Sequence, residues 1–243
     1  MSSSLLSPAA AARGILSGPT AVRLVVDGVD DVLADVDERS GPRGLFLSDR
    51  DGVPHLSCAP DSLLARAADR GRRALLTLEG EAPAPASRPT RAAAPDVLTL
   101  GGRLVVAGRD VCACCPDETV VVAVVVDLVA LTTSDADGRT RHLPVEDFTS
   151  PEHLLNAGFL RRCAEHTTTG HQDELRYAVS AQLDRPVRDV AGVSVSDLTP
   201  SGVRVSWVDT RGAHVRDLRF PRTARAPDEL GELLRRELSA GLC

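Results

Sequence analysis

The histidine in residues 168–175 has the residue type and the neighbours to ligate a metal. The segment reads Thr-Thr-Gly-His-Gln-Asp-Glu-Leu. Thr169 and Gln172 have the spacing of a capping box, which predicts that a helix begins here. His171 would then lie in the first turn, on the same helix face as Leu175. The positive end of the helix dipole favours the neutral imidazole, which is the form that coordinates iron. An ordinary core or boundary histidine is the alternative interpretation.

Three cysteines lie close together, at Cys112, Cys114 and Cys115. Cys112 and Cys115 have the spacing of a metal knuckle or a redox pair. A structural zinc site needs a second such pair or two histidines, and the remaining cysteines are scattered. A redox pair belongs at a helix start, whereas this cluster lies between two predicted strands. We therefore expect these thiols to be incidental or loosely reactive.

The other polar candidates have no catalytic spacing. The six histidines show no His-Glu-x-x-His pattern, and no nucleophile elbow or dinucleotide fingerprint is found. His166 and His171 bracket a threonine-rich turn and could converge. Arg72 and Arg73, in a patch next to Ser57, could hold a phosphate or propionate through bidentate contacts. A solvated helix end is the alternative interpretation of that patch.

The composition excludes several classes of protein. The chain has no lysine, so a P-loop nucleotide hydrolase or a Schiff-base enzyme is not expected. Its net charge of −6 and its lack of a basic run disfavour nucleic acid as a partner. The first eight residues do not form a signal peptide, and the apolar run at residues 120–131 is too short to span a bilayer. We expect a cytoplasmic protein with no membrane partner.

The first half of the chain is predicted to be a mostly antiparallel sheet. Strands are expected at residues 22–26, 29–36, 44–48, 53–58, 74–78, 97–106, 119–132 and 139–145, with short helices at 8–17 and 61–70. An Asp-Gly turn joins the third and fourth strands as a hairpin. The strand at 119–132 is apolar on both faces, so it should be central. A sheet of about six such strands with two short helices fits a small barrel.

The second half is predicted to be a smaller domain with the order α-α-β-β-β-α. Its first helix should begin at Ser150, and its second should contain His171. Strands are expected at residues 191–198, 203–208 and 213–220, and Pro227 should open the last helix. The fold class is therefore α+β, with domains at residues 1–149 and 150–243.

The second half also resembles the small C-terminal domain of haem-utilisation proteins of the HugZ type. The matching pieces occur in order at His171–Leu175, Pro200–Gly202, Val203–Trp207, Leu218–Pro221 and Pro227–Leu230. The first half resembles the FMN-binding split barrel of the pyridoxamine-phosphate-oxidase type. Here the matching pieces are the hairpin at residues 51–57 and the strand at 74–78.

The resemblance implies an N-terminal split β-barrel, a homodimer, and a haem or FMN bound near the dimer interface. On this basis we expect a haem-binding protein, with haem degradation left open. His171 is the expected iron ligand and His214 is a second candidate. The rest of the expected cofactor site is His55, Ser57, Arg72 and Arg73. An FMN-dependent oxidoreductase and a cofactor-free interaction or regulatory module are the alternatives, so the sequence leaves enzymatic activity open.

Overall fold

A computed structural model of the chain describes residues 7–34, 46–80, 94–111, 118–134 and 138–240. The fold is α+β, as predicted. The chain divides into two compact units, which we name unit 1 (Met1–His153) and unit 2 (Leu154–Cys243). Along the described ranges, no helix has the length and apolar character needed to cross a membrane.

Unit 1 is built on a curled, antiparallel half-barrel sheet. Its described strands are β1 (Ala21–Val26), β2 (Phe46–Arg50), β3 (Val53–Cys58), β4 (Arg73–Gly80), β5 (Asp96–Val111), β6 (Glu118–Thr132) and β7 (Thr140–Leu143). The order is β1-β4-β5-β6-β3-β2, and β7 also pairs with β6. One edge of β6 pairs with β5 along its length, while the other is shared between β3 and β7. The apolar strand is therefore central, as the sequence predicted.

The ladder between β5 and β6 contains an irregularity that requires glycine. The register shifts between Gly101 and Gly102. A Cβ atom at position 102 would collide with the carbonyl oxygen of Val125. Because any other residue carries this atom, the close approach of the two strands depends on glycine.

Three described helices pack in unit 1: α1 (Pro8–Ser17), α2 (Leu63–Asp69) and α3 (Val145–Phe148). The side chain of Ser7 caps α1 and that of Ser62 caps α2. The prediction of a strand at residues 29–36 is wrong for residues 29–34. These residues form turns, with a single bridge between Val26 and Val29. Residues 35 and 36 lie outside the described ranges.

A buried ion pair joins the elements of unit 1. The guanidinium of Arg13 lies 3.2 Å from the carboxylate of Asp49, and their side chains are only 1% and 6% exposed. Asp49 also accepts hydrogen bonds from the Ser17 hydroxyl at 2.6 Å and the Gly52 amide at 2.8 Å. Arg13 donates a further bond to the carbonyl of Phe148 at 3.2 Å. This cluster connects α1, the β2–β3 hairpin and α3.

Unit 2 has the predicted order of helices and strands. Its elements are α4 (Ala157–Gly170), α5 (Gln172–Gln182), β8 (Val190–Thr199), β9 (Gly202–Asp209), β10 (Gly212–Arg219) and α6 (Pro227–Ala240). The antiparallel sheet has the order β10-β9-β8. Val195, Val205 and Leu218 are buried in one core with Val179 and Leu234 of the helices. Alternation along the strands places one sheet face on this core.

The first helix of the second half was predicted to begin at Ser150, and this start is wrong. Pro151–His153 forms a short 3₁₀ turn, and α4 begins only at Ala157. The Asn156 side chain caps α4 by accepting a hydrogen bond from the amide of Phe159 at 2.9 Å. Asparagine is among the best N-cap residues, so the helix starts at this cap rather than at the earlier Ser-Pro pair.

Candidate functional site

His171 lies at a junction between two helices. Helix α4 ends at Gly170 and α5 begins at Gln172, so the predicted capping box is wrong. Thr169 belongs to the last turn of α4, where its hydroxyl donates to the carbonyl oxygen of Glu165 at 2.9 Å. His171 has a non-helical backbone, with φ −127° and ψ 35°. It is therefore presented from a corner rather than from a helix face.

The two residues that flank this corner bond to the edge strand β8. The side-chain amide of Gln172 donates to the Val193 carbonyl at 2.6 Å and accepts from the Val193 amide at 3.1 Å. The Thr168 hydroxyl accepts from the Val195 amide at 2.9 Å and donates to its carbonyl at 3.3 Å. These side chains satisfy backbone groups that a further strand would otherwise satisfy. They also fix the position of His171.

The rings of His166 and His171 converge, as expected. Their centroids are 5.1 Å apart and their planes are nearly perpendicular. A Cβ atom at position 170 would lie 3.3 Å from the His166 ring, so Gly170 leaves room for this contact. The side chain of His171 is 48% exposed, and its Nδ1 lies 3.8 Å from a carboxylate oxygen of Glu174. The imidazole is therefore accessible to a ligand.

A groove opens between α5 and α6 beside this corner, and we name it the α5–α6 groove. Its volume is about 340 Å³. The lining residues are Thr167, His171, Glu174, Leu175, Ala178, Gly231, Leu234, Arg235 and Leu238. Small-molecule sites usually have volumes of ~300–1,000 Å³ and mostly apolar walls with a few polar groups. The groove matches that description at the lower end of the range.

His214 belongs to a separate cluster in unit 2. Its Nε2 lies 3.0 Å from Asp209 Oδ1, and its ring stacks on Trp207 with centroids 5.1 Å apart. Asp209 also accepts hydrogen bonds from the Arg185 guanidinium and the Arg211 amide, each at 2.7 Å. Its carboxylate is buried, with 2% of the side chain exposed. The cluster fixes the orientation of the His214 ring.

The charge on Asp209 determines which nitrogen of His214 carries a proton. Burial raises the pKa of Asp209, but the Arg211 amide, His214 and Arg185 together outweigh it and lower the pKa below its ordinary value. An ionised carboxylate only accepts hydrogen bonds, so Nε2 of His214 must donate. The lone pair of the neutral ring is then on Nδ1. The sequence did not point to Asp209 as part of a site. The only sequence signal for it is an acidic residue directly before a tight turn.

The candidates of unit 1 lie on the sheet. His55 and Ser57 are half-buried on the same side of β3, and His55 Nδ1 lies 2.9 Å from the Val53 carbonyl oxygen. Arg73 bonds Asp127 through two contacts of 2.8 and 2.9 Å. The hydrogen bond between them and their mutual attraction raise the pKa of Arg73, and Arg73 likewise lowers the pKa of Asp127.

The two predicted arginines have different surroundings. Arg73 is bonded to Asp127, whereas the guanidinium of Arg72 lies beside the turn at Gly28. It is 3.5 Å from the position that a Cβ atom on residue 28 would occupy. In unit 2, only His171 borders the α5–α6 groove, while His214 contacts Asp209. The assignment of these residues to a cofactor stays a prediction.

A row of apolar residues crosses the outer side of the unit 1 sheet. Val25, Leu75, Gly101 and Leu128 are register partners on β1, β4, β5 and β6. Val25, Leu75 and Leu128 are exposed. We name these four residues the unit 1 patch.

The cysteine cluster at residues 112–117 lies outside the described ranges. Cys58 is buried, and its thiol contacts the carbonyl of Val120. Burial raises the pKa of Cys163, with a smaller opposing effect of Arg162. A raised pKa lowers the thiolate fraction, so Cys163 should be unreactive. Among the described residues, no group of three or more His, Cys, Asp or Glu side chains is placed to hold a metal ion.

No family model matches the chain, and no curated protein matches it. Among solved structures, it is similar to a heme binding protein from Mycobacterium smegmatis, with 17% identity and a TM-score of 0.41 over 96% of this chain and 98% of that chain. It is also similar to a protein of unknown function from Agrobacterium tumefaciens, with 16% identity and a TM-score of 0.40 over 96% of each chain.

Proposed function

We propose that the protein binds haem in the α5–α6 groove, with His171 as the iron ligand. The observation that carries the proposal is an accessible imidazole at the border of an apolar groove. Histidine is a common axial ligand of haem iron. Leu175, Leu234 and Leu238 line the groove and would cover the apolar faces of the macrocycle.

The residues around the α5–α6 groove fit haem in three respects. The backbone at His171 is flanked by Thr168 and Gln172, whose side chains bond to β8, so the corner that carries the imidazole is fixed before a ligand binds. Its Nδ1 lies 3.8 Å from a carboxylate oxygen of Glu174, so Nε2 would be the nitrogen that binds the iron. Arg235 lines the groove and carries the charge that propionates require. Because the groove is small, haem would insert one edge and keep the other in solvent.

The proposal concerns binding and includes no catalytic step. Bound haem would supply iron for redox chemistry, and the residues of unit 2 would position it. We also infer that the curled sheet of unit 1 is a split barrel and that the two units are separate domains. The flavin alternative would use Arg72 and Arg73 as phosphate partners, and Arg73 would have to exchange its bonds to Asp127 for bonds to the phosphate. The homodimer stays a prediction.

A haemin titration of the full chain tests the proposal. We expect a Soret band that saturates at one haem per chain and shifts or weakens in His171→Ala. His142→Ala is the matched control, since it removes an exposed histidine of unit 1. Ala178→Phe should reduce affinity by filling the groove while His171 remains. The proposal is wrong if His171→Ala binds haemin with the spectrum and affinity of the parent chain.

A further inference from the structure

The unit 2 sheet has one open edge, at β10. Strand β10 pairs only with β9 among the described strands, and the pairing is regular from Gly212 to Arg219. The opposite edge differs, because the side chains of Thr168 and Gln172 bond to the backbone of β8. A regular edge with one side unpaired is a template for a further strand.

A hydrogen bond just beyond this ladder shows which backbone groups of β10 point outward. The Phe220 amide donates to the Ser201 carbonyl oxygen at 2.8 Å, so these two residues form a bonded pair. Bonded and non-bonded pairs alternate along an antiparallel ladder. The bonds to β9 therefore fall on the even-numbered residues of β10. The groups that point away from β9 belong to Ala213, Val215, Asp217 and Arg219.

The segment that contains this edge is basic, although the whole chain is acidic. Residues 211–225 include five arginines and one acidic residue, whereas the chain has a net charge of −6. The acidic residue, Asp217, is bonded to Arg204 at 2.8 Å. Arg211 and Arg219 are exposed, and neither forms an ion pair with a described carboxylate. The open edge therefore has a positive potential that an acidic partner would neutralise.

The same arginines disfavour pairing between two copies of this edge. Two copies aligned about Val215 would place Arg219 opposite Arg211, and like charges in opposite positions are destabilising. Charged side chains on an open edge commonly protect it in this way from other edges. An acidic strand meets attraction where a second copy meets repulsion, so the charges select one kind of partner.

We propose that the open edge of β10 binds an extended, acidic peptide segment of another protein as a fourth, antiparallel strand. The peptide residue opposite Val215 would exchange two backbone hydrogen bonds with it. Val215 is 64% exposed, and an apolar side chain opposite would cover it. Carboxylates opposite Arg216 and Arg219 would form ion pairs. This surface is separate from the α5–α6 groove and from the unit 1 patch, so the proposal does not rest on haem binding.

A synthetic peptide tests the charge requirement. The probe is acetyl-Glu-Thr-Thr-Glu-Val-Thr-Thr-Glu-amide, whose valine would lie opposite Val215 and whose first two glutamates would lie opposite Arg219 and Arg216. Fluorescence anisotropy of the labelled peptide, titrated with the full chain, measures its Kd. The control peptide has glutamine in place of all three glutamates. It should bind about five- to tenfold more weakly, because the cross-strand ion pairs are lost.

Backbone methylation separates strand addition from simple charge attraction. A methyl group on the valine nitrogen of the probe removes the hydrogen bond to the Val215 carbonyl oxygen, and it should weaken binding about three- to tenfold. The matched control carries the methyl group on the preceding glutamate. The nitrogen of that glutamate would point away from β10, so the affinity should stay nearly unchanged.

Two variants of the chain locate the site. Arg219→Glu should weaken binding of the probe about tenfold, because an attraction becomes a repulsion. Arg188→Glu is the matched control, since it makes the same change of charge at a side chain that is 85% exposed and lies outside β10. Both variants should unfold at the temperature of the parent chain, because both arginines are exposed.

Three results would overturn the proposal. The first is a probe that does not bind the parent chain, which would leave the arginines as protection of the edge only. The second is equal binding of the glutamate and glutamine peptides, or of the two methylated peptides. The third is a thymidylate decamer that binds more tightly than the probe and loses affinity in Arg219→Glu, which would make the edge a site for nucleic acid.

Discussion

Replacing Gln172 with leucine should destabilise unit 2 and loosen the corner that holds His171. The side chain makes three described hydrogen bonds, one to the Thr168 carbonyl and two to the backbone of Val193. Val193 is buried, so its freed amide and carbonyl cannot easily bond water. At about 0.5–1.5 kcal/mol for each bond, we expect a loss of about 2–4 kcal/mol.

The single tryptophan of the chain reports this change. Trp207 is the register partner of Val193 and lies in the core of unit 2. At roughly 4–8 °C for each kcal/mol in a domain of 60–100 residues, the expected loss corresponds to a fall in Tm of roughly 8–32 °C. Thermal unfolding followed by indole fluorescence measures it.

A matched control separates this bonding from general helix effects. Thr169→Ala removes a hydroxyl that bonds only within α4 among the described contacts, and it should change Tm by less than about 3 °C. The haem affinity of Gln172→Leu should also fall, because His171 loses one of its two anchors. If Gln172→Leu melts at the temperature of the parent chain, the side chain does not hold β8 and this reasoning is wrong.

Three further predictions concern stability. Asp49→Ala leaves the buried guanidinium of Arg13 unpaired and should cost about 3–5 kcal/mol in urea unfolding, whereas the double variant Arg13→Met/Asp49→Leu should recover most of it. The pKa of Asp209 is lowered in the folded chain. Its contribution to the free energy of unfolding is therefore fully present above its unfolded pKa of ~3.9, and it is lost as the pH falls through the pKa of the folded state. Asp209→Asn should flatten this acid dependence, as measured by fluorescence-detected unfolding at several pH values. Gly102→Ala should lower Tm, while Gly108→Ala, which meets nothing within 4 Å, should not.

Local patterns predicted much of the fold. The long apolar strand β6 is paired on both of its edges, as its apolar run predicted. The β2–β3 hairpin forms where predicted, since Asp51 and Gly52 take positive φ values of 53° and 87° that suit such a turn. The order of elements in unit 2 also follows from helix and strand periodicity. All three features depend on residues close together in the chain.

The candidate site was predicted less completely. His171 was identified from a local capping pattern, but Gln172 bonds β8 instead of capping a helix. The pattern could not show this, because the competing partner is an edge strand distant in sequence. Arg13 is buried in the core of unit 1, where Asp49 and the carbonyl oxygen of Phe148 accept hydrogen bonds from its guanidinium. In each case the deciding contact is long-range.

The sequence by itself determined the fold class and the order of elements in unit 2, and it singled out His171 as a candidate ligand, since periodicity and turn chemistry are local properties. Only the tertiary structure decided what surrounds each histidine. It placed His171 beside an apolar groove and His214 on a buried carboxylate. The neighbours of each imidazole come from elements that are distant in sequence and meet only when the unit packs. Packing also decides which buried polar groups bond to each other, and no local pattern contains that information.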